Sequence, residues 1–186
     1  MRIIAGRWKG TRLISPGGMK TRPTTDRVKE SVFSILGRSV ENARVLDLCA
    51  GTGNLGFEAL SRGAESAVFV EKSAKALAII RENSEKLRAE NVRVLRGDAQ
   101  RFVRNWDGKE SFSLIFFDPP YRGGLYRPVL EAIDHSQILC AEGLVVVEHG
   151  RDQGLAASYQ SLAVIDSRRY GDTQISFLKR QKEVDL

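Results

Sequence analysis

Short apolar runs alternate with amphipathic stretches along most of the chain. The runs have the length of buried strands, and we expect strands at 44–48, 67–70, 92–95, 114–117 and 144–148. Between them, apolar residues recur at helical spacing, which predicts helices at about 54–62, 74–89 and 125–136. Strands that alternate with helices are typical of an α/β fold built on a parallel sheet.

The two ends of the chain predict additions to this core. Residues 1–15 suggest a short β-hairpin, and Thr25 is a suitable N-cap for a helix over about 25–37. Near the other end, 162–166 and 173–178 form a hairpin candidate whose last strand would join the sheet in the antiparallel direction. The pattern shows no internal repeat and no second domain, so we expect a single domain.

The tetrapeptide Asp118-Pro119-Pro120-Tyr121 directly follows the apolar run 114–117 and is the most specific chemical signal in the chain. An exocyclic amine on a nucleobase is a poor nucleophile because its lone pair is delocalised into the ring. Asp118 can accept one N–H and a proline-constrained carbonyl can accept the other, which favours a pyramidal nitrogen. Tyr121 can then stack on the base. Taken alone, the same residues also fit a strand that ends in a rigid turn.

A glycine-rich turn follows the predicted strand 44–48. Gly51, Gly53 and Gly56 fit the G-x-G-x-x-G spacing at which a helix N-terminus binds a dinucleotide pyrophosphate. Asp47 at the strand end argues against that ligand, because a carboxylate repels phosphate and attracts an ammonium group. S-adenosylmethionine carries an ammonium and a sulfonium group but no phosphate, so the pattern favours it.

Acidic residues also follow the next two predicted strands. Glu71 comes after 67–70, where a carboxylate can accept both ribose hydroxyls of an adenosine, and Asp98 comes after 92–95, where it suits the adenine amino group. Each has a plainer alternative, since Glu71 could favour a helix end and Asp98 could be a turn residue. Because the carboxyl ends of parallel strands share one edge of the sheet, acids at successive strand ends predict a ligand site there.

The order and spacing of these motifs resemble the class I S-adenosylmethionine-dependent methyltransferases. More narrowly, the chain resembles the bacterial enzymes of the RsmD type, which methylate the guanine N2 amine of 16S ribosomal RNA. The resemblance covers nearly the whole chain and is carried by residues 2–6, 9–10, 22–31, 46–48, 50–53, 55–56, 58–64 and 118–121. Cys49 and Thr52 depart from the Phe and Ser expected there, and neither departure touches the catalytic residues.

This resemblance implies a fold and a set of cofactor contacts. The fold would be a seven-stranded, mostly parallel Rossmann-like methyltransferase sheet with helices on both faces, plus a short N-terminal β-hairpin and helix. Residues 1–186 would form one domain, with 1–40 as a basic extension and 41–186 as the catalytic core. S-adenosyl-L-methionine would be held by Thr24, Asp47, Ala50, Gly51, Thr52, Gly53, Asn54, Glu71, Lys72, Asp98 and Ala99.

Basic residues are concentrated at the N-terminus. Residues 1–30 hold eight basic and two acidic residues, a net +6, which equals the +6 of the whole chain, so the remainder sums to zero. Such an arm, with an aromatic residue among the basic ones, predicts binding to a nucleic-acid backbone; a solvated hairpin without a partner is the alternative. We expect RNA contacts from Arg2, Arg7, Trp8, Lys9, Arg12 and Arg22.

Composition and the remaining residues add further expectations. The hydrophobic content of 42% suits one globular domain, and Cys49 and Cys140 lack the spacing of a disulfide framework or a zinc site. His135 and His149 stand apart from the motifs, and we expect no metal. The chain shows no leader and no apolar run of membrane length, so we expect a cytoplasmic protein. The resemblance further implies a monomer that acts on 16S ribosomal RNA in the 30S subunit or its assembly intermediate.

Three alternatives remain open at this point. A DNA or RNA adenine-N6 methyltransferase would use the same tetrapeptide, although no stretch is left over for a target-recognition domain. A dinucleotide-binding oxidoreductase is motivated by Gly51, Gly53 and Gly56. A non-catalytic ribosome-binding module is suggested by the basic arm alone.

Overall fold

A computed structural model of the protein describes residues 1–16, 23–120 and 124–181, with the backbone alone at 23–25. Within these ranges the strands are β1 (Arg44–Leu48), β2 (Ser66–Glu71), β3 (Val92–Arg96), β4 (Phe112–Phe117), β5 (Leu139–Gly150), β6 (Leu162–Tyr170) and β7 (Thr173–Arg180). The helices are α1 (Pro23–Leu36), α2 (Asn54–Ser61), α3 (Ala74–Leu87), α4 (Ala99–Arg104) and α5 (Tyr126–Asp134), and a 3₁₀ turn at Gly37–Val40 follows α1. None of the helices in this described part combines the length and the apolar character of a membrane span.

The strands form one seven-stranded sheet in the order β3-β2-β1-β4-β5-β7-β6. Strands β1 to β5 pair in parallel, whereas β7 pairs antiparallel with both β5 and β6. The predicted seven-stranded, mostly parallel sheet is therefore confirmed, including the C-terminal hairpin. The chain winds outward in both directions from β1 and β4, and in such sheets a cleft opens at the carboxyl ends of the strands where the winding changes direction.

Successive strand residues point into two different apolar layers, which explains why helices cover both faces of the sheet. In β4, Leu114 and Phe116 lie in the layer formed with α1, α2 and α3, while Ile115 and Phe117 lie in the layer formed with α4 and α5. Strands covered on both faces lose the alternation of apolar and polar residues. This is why the run 114–117 is apolar throughout.

Several elements differ from their sequence-based predictions. Helix α1 begins at Pro23 rather than after Thr25, and proline suits a first turn because its missing N–H would have no helical partner there. Helix α4 was not predicted because six residues are too few to show a helical period. Strand β5 runs from Leu139 to Gly150 and is longer than predicted, since Glu142 and Gly143 interrupt its apolar run.

The N-terminal segment, which we define as residues 1–14, forms a single bridge between Arg2 and Arg12 instead of the predicted two-stranded hairpin. Backbone bonds from Ile3 N to the Thr11 oxygen and from Gly10 N to the Ile3 oxygen, both 2.9 Å, close this loop. The segment shares the main core, because its Ile3 and Leu13 are buried in the same apolar layer as α1 and α2.

Helix α2 holds the N-terminal segment through one buried carboxylate. Glu58 is fully buried, and its oxygens accept hydrogen bonds from the Ile4 and Ala5 amides at 2.8 and 3.1 Å. One turn further, the Ser61 carbonyl accepts the Arg7 amide at 2.8 Å. Gly6 lies between these contacts at φ +84°, and a Cβ there would fall 1.8 Å from the Ser61 carbonyl oxygen. The close approach therefore requires glycine.

Lys29 of α1 completes this connection. Its side chain is buried, and its ammonium group lies 3.1 Å from the Glu58 carboxylate and donates to the Arg2 carbonyl oxygen at 2.6 Å and to Asn54 Oδ1 at 2.7 Å. Arg62 neutralises the other Glu58 oxygen at 2.8 Å. Helices α1 and α2 and the N-terminal segment are thus joined through one ionic cluster beside the predicted cofactor turn.

Candidate active site

Two adjoining cavities lie at the carboxyl ends of the parallel strands. The first, of about 500 Å³, lies over β2, β3 and β4, and the second, of about 380 Å³, lies between β1, β5, β7 and helix α1. Cys49, Gly51, Asp118 and Glu148 line both cavities. These four residues therefore mark the place where the two spaces meet.

Asp118 stands at this junction, immediately after β4. Pro119 and Pro120 line the first cavity beside it, Pro119 buried and Pro120 exposed. The Asp118 carboxyl group is open to the cavities, but the walls of the cleft exclude much of the bulk water. This burial, together with the charges of Glu148 and Asp47, raises the pKa of Asp118 well above its usual value.

Tyr121, the fourth residue of the predicted catalytic set, lies outside the described residues, as does Arg22 of the predicted RNA-binding set. Thr24 lies in the first turn of α1, where the structure describes its backbone but not its side chain. The roles predicted for these three residues stay predictions.

The glycine-rich turn after β1 is built on left-handed backbone. Cys49, Gly51 and Gly53 have φ values of 59°, 58° and 79°. A non-glycine residue such as Cys49 adopts this conformation at a cost, and such residues concentrate at functional sites. Gly53 caps α2, and the space beside it is filled by Phe57, so it shapes the turn and does not line either cavity.

Asp47 of β1 supports the glycine-rich turn through a hydrogen bond. Its side chain is buried, and Oδ2 accepts the Gly56 amide of α2 at 3.0 Å. Burial raises the pKa of Asp47 to about 8, which the hydrogen bond from Gly56 opposes and the charge of Glu71 reinforces. Asp47 also lines the second cavity, so a cation placed there would favour its ionised form.

The first cavity contains the acids predicted to hold an adenosine. Glu71 accepts the Gly51 amide at 3.0 Å and the Ser73 amide at 2.9 Å through separate carboxylate oxygens, each of which keeps a further lone pair. Asp98 is the N-cap of α4, where it accepts the Arg101 amide at 3.0 Å, and it also lines this cavity. Exposed Lys72 and buried Ala99 also line this cavity.

The second cavity brings together the remaining predicted cofactor contacts. Ala50, Thr52 and Asn54 line it, and Asn54 is held in place by the ammonium group of Lys29. The opposite wall is apolar and comes from Val28 and Val32 of α1 with Val146 and Ile175 of the sheet. A planar group would fit between such walls with its polar edge toward the carboxylates.

Two charged residues that line this site were missed from the sequence. Glu148 lines both cavities, and the signal was present, since it ends an apolar run as Asp118 does. Lys29 lines the second cavity but gives no signal, because lysines on helices are ordinarily solvated. His149, in contrast, is buried with Nε2 2.9 Å from Ser176 Oγ, a structural contact away from the cavities.

The predicted RNA-binding residues of the N-terminal segment have different surroundings. Lys9 and Arg12 are exposed, whereas Arg2 is paired with Asp26 at 3.0 Å. The Arg7 guanidinium lies 3.9 Å from the centre of the Trp8 ring. Trp8 is partly buried against the core, so part of its side chain is already covered by protein. All four basic side chains of the segment are thus exposed, and two of them, Arg2 and Arg7, also contact a neighbouring side chain.

The chain matches the family described as Conserved hypothetical protein 95 over residues 1–179. YlbH of Bacillus subtilis (strain 168), provisionally named an rRNA methyltransferase, is 39% identical over 183 residues that cover 97% of this chain and 100% of YlbH. Ribosomal RNA small subunit methyltransferase D of Escherichia coli (strain K12) is 36% identical over 155 residues, which cover 83% of this chain and 77% of that protein.

A solved structure shares the whole architecture. The Escherichia coli protein yhhF, provisionally named a methyltransferase, superposes with a TM-score of 0.87 at 32% identity, over 97% of this chain and 98% of that one. The matched region includes the cavities and the strands that form them. The chain therefore belongs to the Conserved hypothetical protein 95 family, the RsmD family of methyltransferases.

Proposed function

We propose that this protein methylates the exocyclic N2 amine of a guanine in 16S ribosomal RNA, with S-adenosylmethionine as the methyl donor. The observation that carries the proposal is the position of Asp118 at the junction of the two cavities. The adenosine of the donor would lie in the first cavity, and its methyl group would meet an acceptor amine in the second cavity at this carboxylate. The 36% identity to ribosomal RNA small subunit methyltransferase D supports the choice of substrate.

The charges of the cavities fit this cofactor better than a dinucleotide. Among the described residues, five carboxylates line the two cavities, namely Asp47, Glu71, Asp98, Asp118 and Glu148. They face two lysines, Lys29 and Lys72, the first of which is engaged by Glu58. Such a surface repels a pyrophosphate and attracts a sulfonium and an ammonium group. This disfavours the oxidoreductase alternative.

The predicted contacts can be divided between the two ends of the cofactor. Glu71 and Asp98 would accept the ribose hydroxyls and the adenine amino group, while Asp47, Thr52 and Asn54 would lie at the amino-acid end. When bound, S-adenosylmethionine supplies an electrophilic methyl group whose bonding electron pair stays on sulfur as the methyl group leaves.

The chain's own contribution at the reacting centre comes mainly from Asp118. Its carboxylate would accept one N–H of the target amine, orient the nitrogen lone pair, and stabilise the positive charge that develops on nitrogen. The same carboxylate can then receive the proton that the methylated nitrogen loses and pass it to water. A raised pKa suits this last role, because it makes Asp118 a better base than an ordinary carboxylate.

The exposed cations of the N-terminal segment would bind the RNA backbone next to the second cavity. The segment is attached to α1 and α2, and Met1 reaches the cavity itself, so RNA held there would lie close to Asp118. We further propose that the enzyme acts as a cytoplasmic monomer on the 30S subunit or its assembly intermediate.

Transfer of labelled methyl groups from S-adenosylmethionine tests this function directly. The substrates would be 30S particles, naked small-subunit RNA and duplex DNA, followed by digestion and nucleoside identification. We expect label in N2-methylguanosine from RNA or particles. Label only in N6-methyladenine, or no label in any substrate despite cofactor binding, would refute the proposed substrate.

A variant of Asp118 separates chemistry from cofactor binding in the same assay. We expect Asp118→Ala to lower turnover by about 10³-fold, because the interaction it removes forms mainly in the transition state. Cofactor affinity, measured by calorimetry, should stay within a few-fold of the wild type. An equal loss of both would contradict this division of roles. Asp152→Ala, an exposed acid, is the matched control.

A further inference from the structure

The two acids at the carboxyl ends of β4 and β5 occupy equivalent positions in the sheet. Phe117 of β4 pairs in parallel register with Val147 of β5, and both side chains are buried in the layer with α4 and α5. The next residues are Asp118 and Glu148, which alternation directs toward the opposite face. Neighbouring strands lie only about 4.8 Å apart, so the two carboxyl groups stand side by side.

Independent observations agree with this placement. Asp118 and Glu148 line the second cavity together with Val146, whose side chain belongs to the layer with α1 and α2. Among neighbouring charges, that of Glu148 contributes most to the raised pKa of Asp118, ahead of that of Asp47. Among the described residues, the other charged groups at this cavity are the buried Asp47 of β1, Lys29 of α1, which Glu58 engages, and Met1 with its N-terminal ammonium group.

A pair of adjacent carboxylates reads a specific pattern of hydrogen bonds. Both groups accept hydrogen bonds when ionised, so together they match two neighbouring N–H donors. Among the exocyclic amines of RNA bases, the N6 amine of adenine and the N4 amine of cytosine lie next to ring nitrogens that are acceptors. The N2 amine of guanine has the N1–H donor at its side. Only guanine therefore presents two donors to the pair.

We propose that Glu148 selects guanine by accepting a hydrogen bond from the base N1–H while Asp118 accepts one from the N2 amine. The inference rests on the function proposed above and names the residue that decides between guanine and adenine. The apolar walls from α1 and the sheet would hold the base plane, and the two carboxylates would read its edge. Adenine would place a lone pair against the Glu148 carboxylate, which desolvation inside the cavity makes costly.

A base analogue in the substrate, compared between the wild type and the Glu148 variant below, tests this reading. 2-Aminopurine keeps the 2-amino group but has an acceptor at N1 in place of the N1–H donor and hydrogen in place of the 6-oxo oxygen. It would be placed in small-subunit RNA at the guanine that the wild-type enzyme labels, and kcat/KM would be compared with that of the unmodified RNA. We expect the wild type to prefer guanine on the order of 10²-fold or more, because a site built to accept an N–H rejects a base that lacks it.

The isosteric variant Glu148→Gln should change this preference. Its amide can donate to the N1 acceptor of 2-aminopurine, so we expect the ratio of kcat/KM values to fall to about one or to reverse, with cofactor affinity within a few-fold of the wild type. Glu142→Gln is the matched control, since Glu142 lies on the same strand but pairs with Lys179 on the surface at 2.5 Å. It should keep the wild-type ratio.

The outcomes separate the two proposals. Equal use of 2-aminopurine and guanine by the wild type would overturn the role of Glu148, as would a Glu148→Gln enzyme that keeps the wild-type preference. Absence of methyl label in any guanine in the wild-type reaction would overturn the proposed function itself, and the inference with it. A preference for guanine that is lost in Glu148→Gln but kept in Glu142→Gln would establish that Glu148 recognises the N1–H of guanine.

Discussion

At the scale of single residues, the ionisation of Asp118 should govern the pH dependence of methyl transfer. Burial and the charges of Glu148 and Asp47 raise its pKa well above the ordinary 3.8. Asp118 must be ionised to accept the amine N–H, so kcat/KM should fall as the pH drops through this raised pKa. We expect the acidic limb of the profile at a higher pH than an exposed carboxyl group would give.

A substitution of Glu148 tests whether the ionisation of Asp118 causes the acidic limb of the kcat/KM profile. Glu148→Gln removes a negative charge, lowers the pKa of Asp118, and should move the acidic limb of kcat/KM toward lower pH. Glu142→Gln should leave the limb in place. A limb in the ordinary carboxyl range for the wild type, or one that Glu148→Gln does not move, would contradict the assignment to Asp118.

At the scale of elements, the N-terminal segment and α2 should separate when Gly6 gains a side chain. A Cβ at Gly6 would fall 1.8 Å from the Ser61 carbonyl oxygen, a backbone atom that cannot move aside. We expect Gly6→Ala to lower the free energy of unfolding by about 3 kcal/mol, the sum of left-handed backbone strain and a lost docking contact. Denaturant unfolding followed by circular dichroism would measure it.

The chain offers a close control for that substitution. Gly10 has φ +85°, nearly the same as the +84° of Gly6, but nothing lies within 4 Å of a Cβ built there. Gly10→Ala should therefore cost only the backbone strain, about 1–2 kcal/mol. If the two variants lost equal stability, the contact with Ser61 would contribute nothing, contrary to the close approach of the two backbones.

The ionic cluster between α1 and α2 makes a second prediction at this scale. Lys29→Met would remove one cationic partner of the fully buried Glu58 and the hydrogen-bond donor to the Arg2 carbonyl oxygen. Removing one member of a buried ion pair typically costs about 3–5 kcal/mol, and we expect a loss in this range from the free energy of unfolding. The measurement is again denaturant unfolding.

Lys86→Met is the control for this variant, because Lys86 also donates to a backbone carbonyl of the N-terminal segment, that of Arg12 at 2.7 Å, but is exposed. We expect it to cost less than about 1 kcal/mol. A second test adds Glu58→Leu to Lys29→Met. Stability should recover only in part, since the Ile4 and Ala5 amides would still lack their acceptor.

At the scale of the whole molecule, the net charge of the chain is concentrated in residues 1–30, which carry +6, the net charge of the whole chain. The N-terminal segment lies on the face covered by α1 and α2, and its exposed cations should set the salt dependence of RNA binding. Replacing Arg7, Lys9 and Arg12 by Gln should reduce the slope of log affinity against log salt by about 2–3. Filter binding of small-subunit RNA over a salt series would measure the slope.

An equal change of charge on the other face is the control. Arg104 of α4, Lys109 of the loop before β4 and Arg127 of α5 are exposed, on the side opposite the N-terminal segment. Replacing these three by Gln should leave the slope unchanged within about 0.5. Equal effects of the two triple variants would mean that total charge, and no particular face, determines binding.

The strand and helix pattern was predictable because it depends on residues that are close together in the sequence. An apolar run such as 114–117 reports burial on both faces of a strand, and the acid that ends it reports the edge of the sheet. The short helix α4 and the extension of β5 were not predictable, since their own residues carry too little periodic signal. The positions of Asp47, Glu71, Asp98 and Asp118 around one cleft followed from the sheet topology.

The sequence by itself thus determined the fold class, the family and the acids at the ends of the parallel strands, because each depends on residues close together along the chain. The tertiary structure decided which groups act in pairs. Glu58 meets the Ile4 amide 54 positions away, and Asp118 stands beside Glu148 because the register of β4 against β5 aligns them. Such contacts depend on packing between distant segments, which no local pattern of residues records.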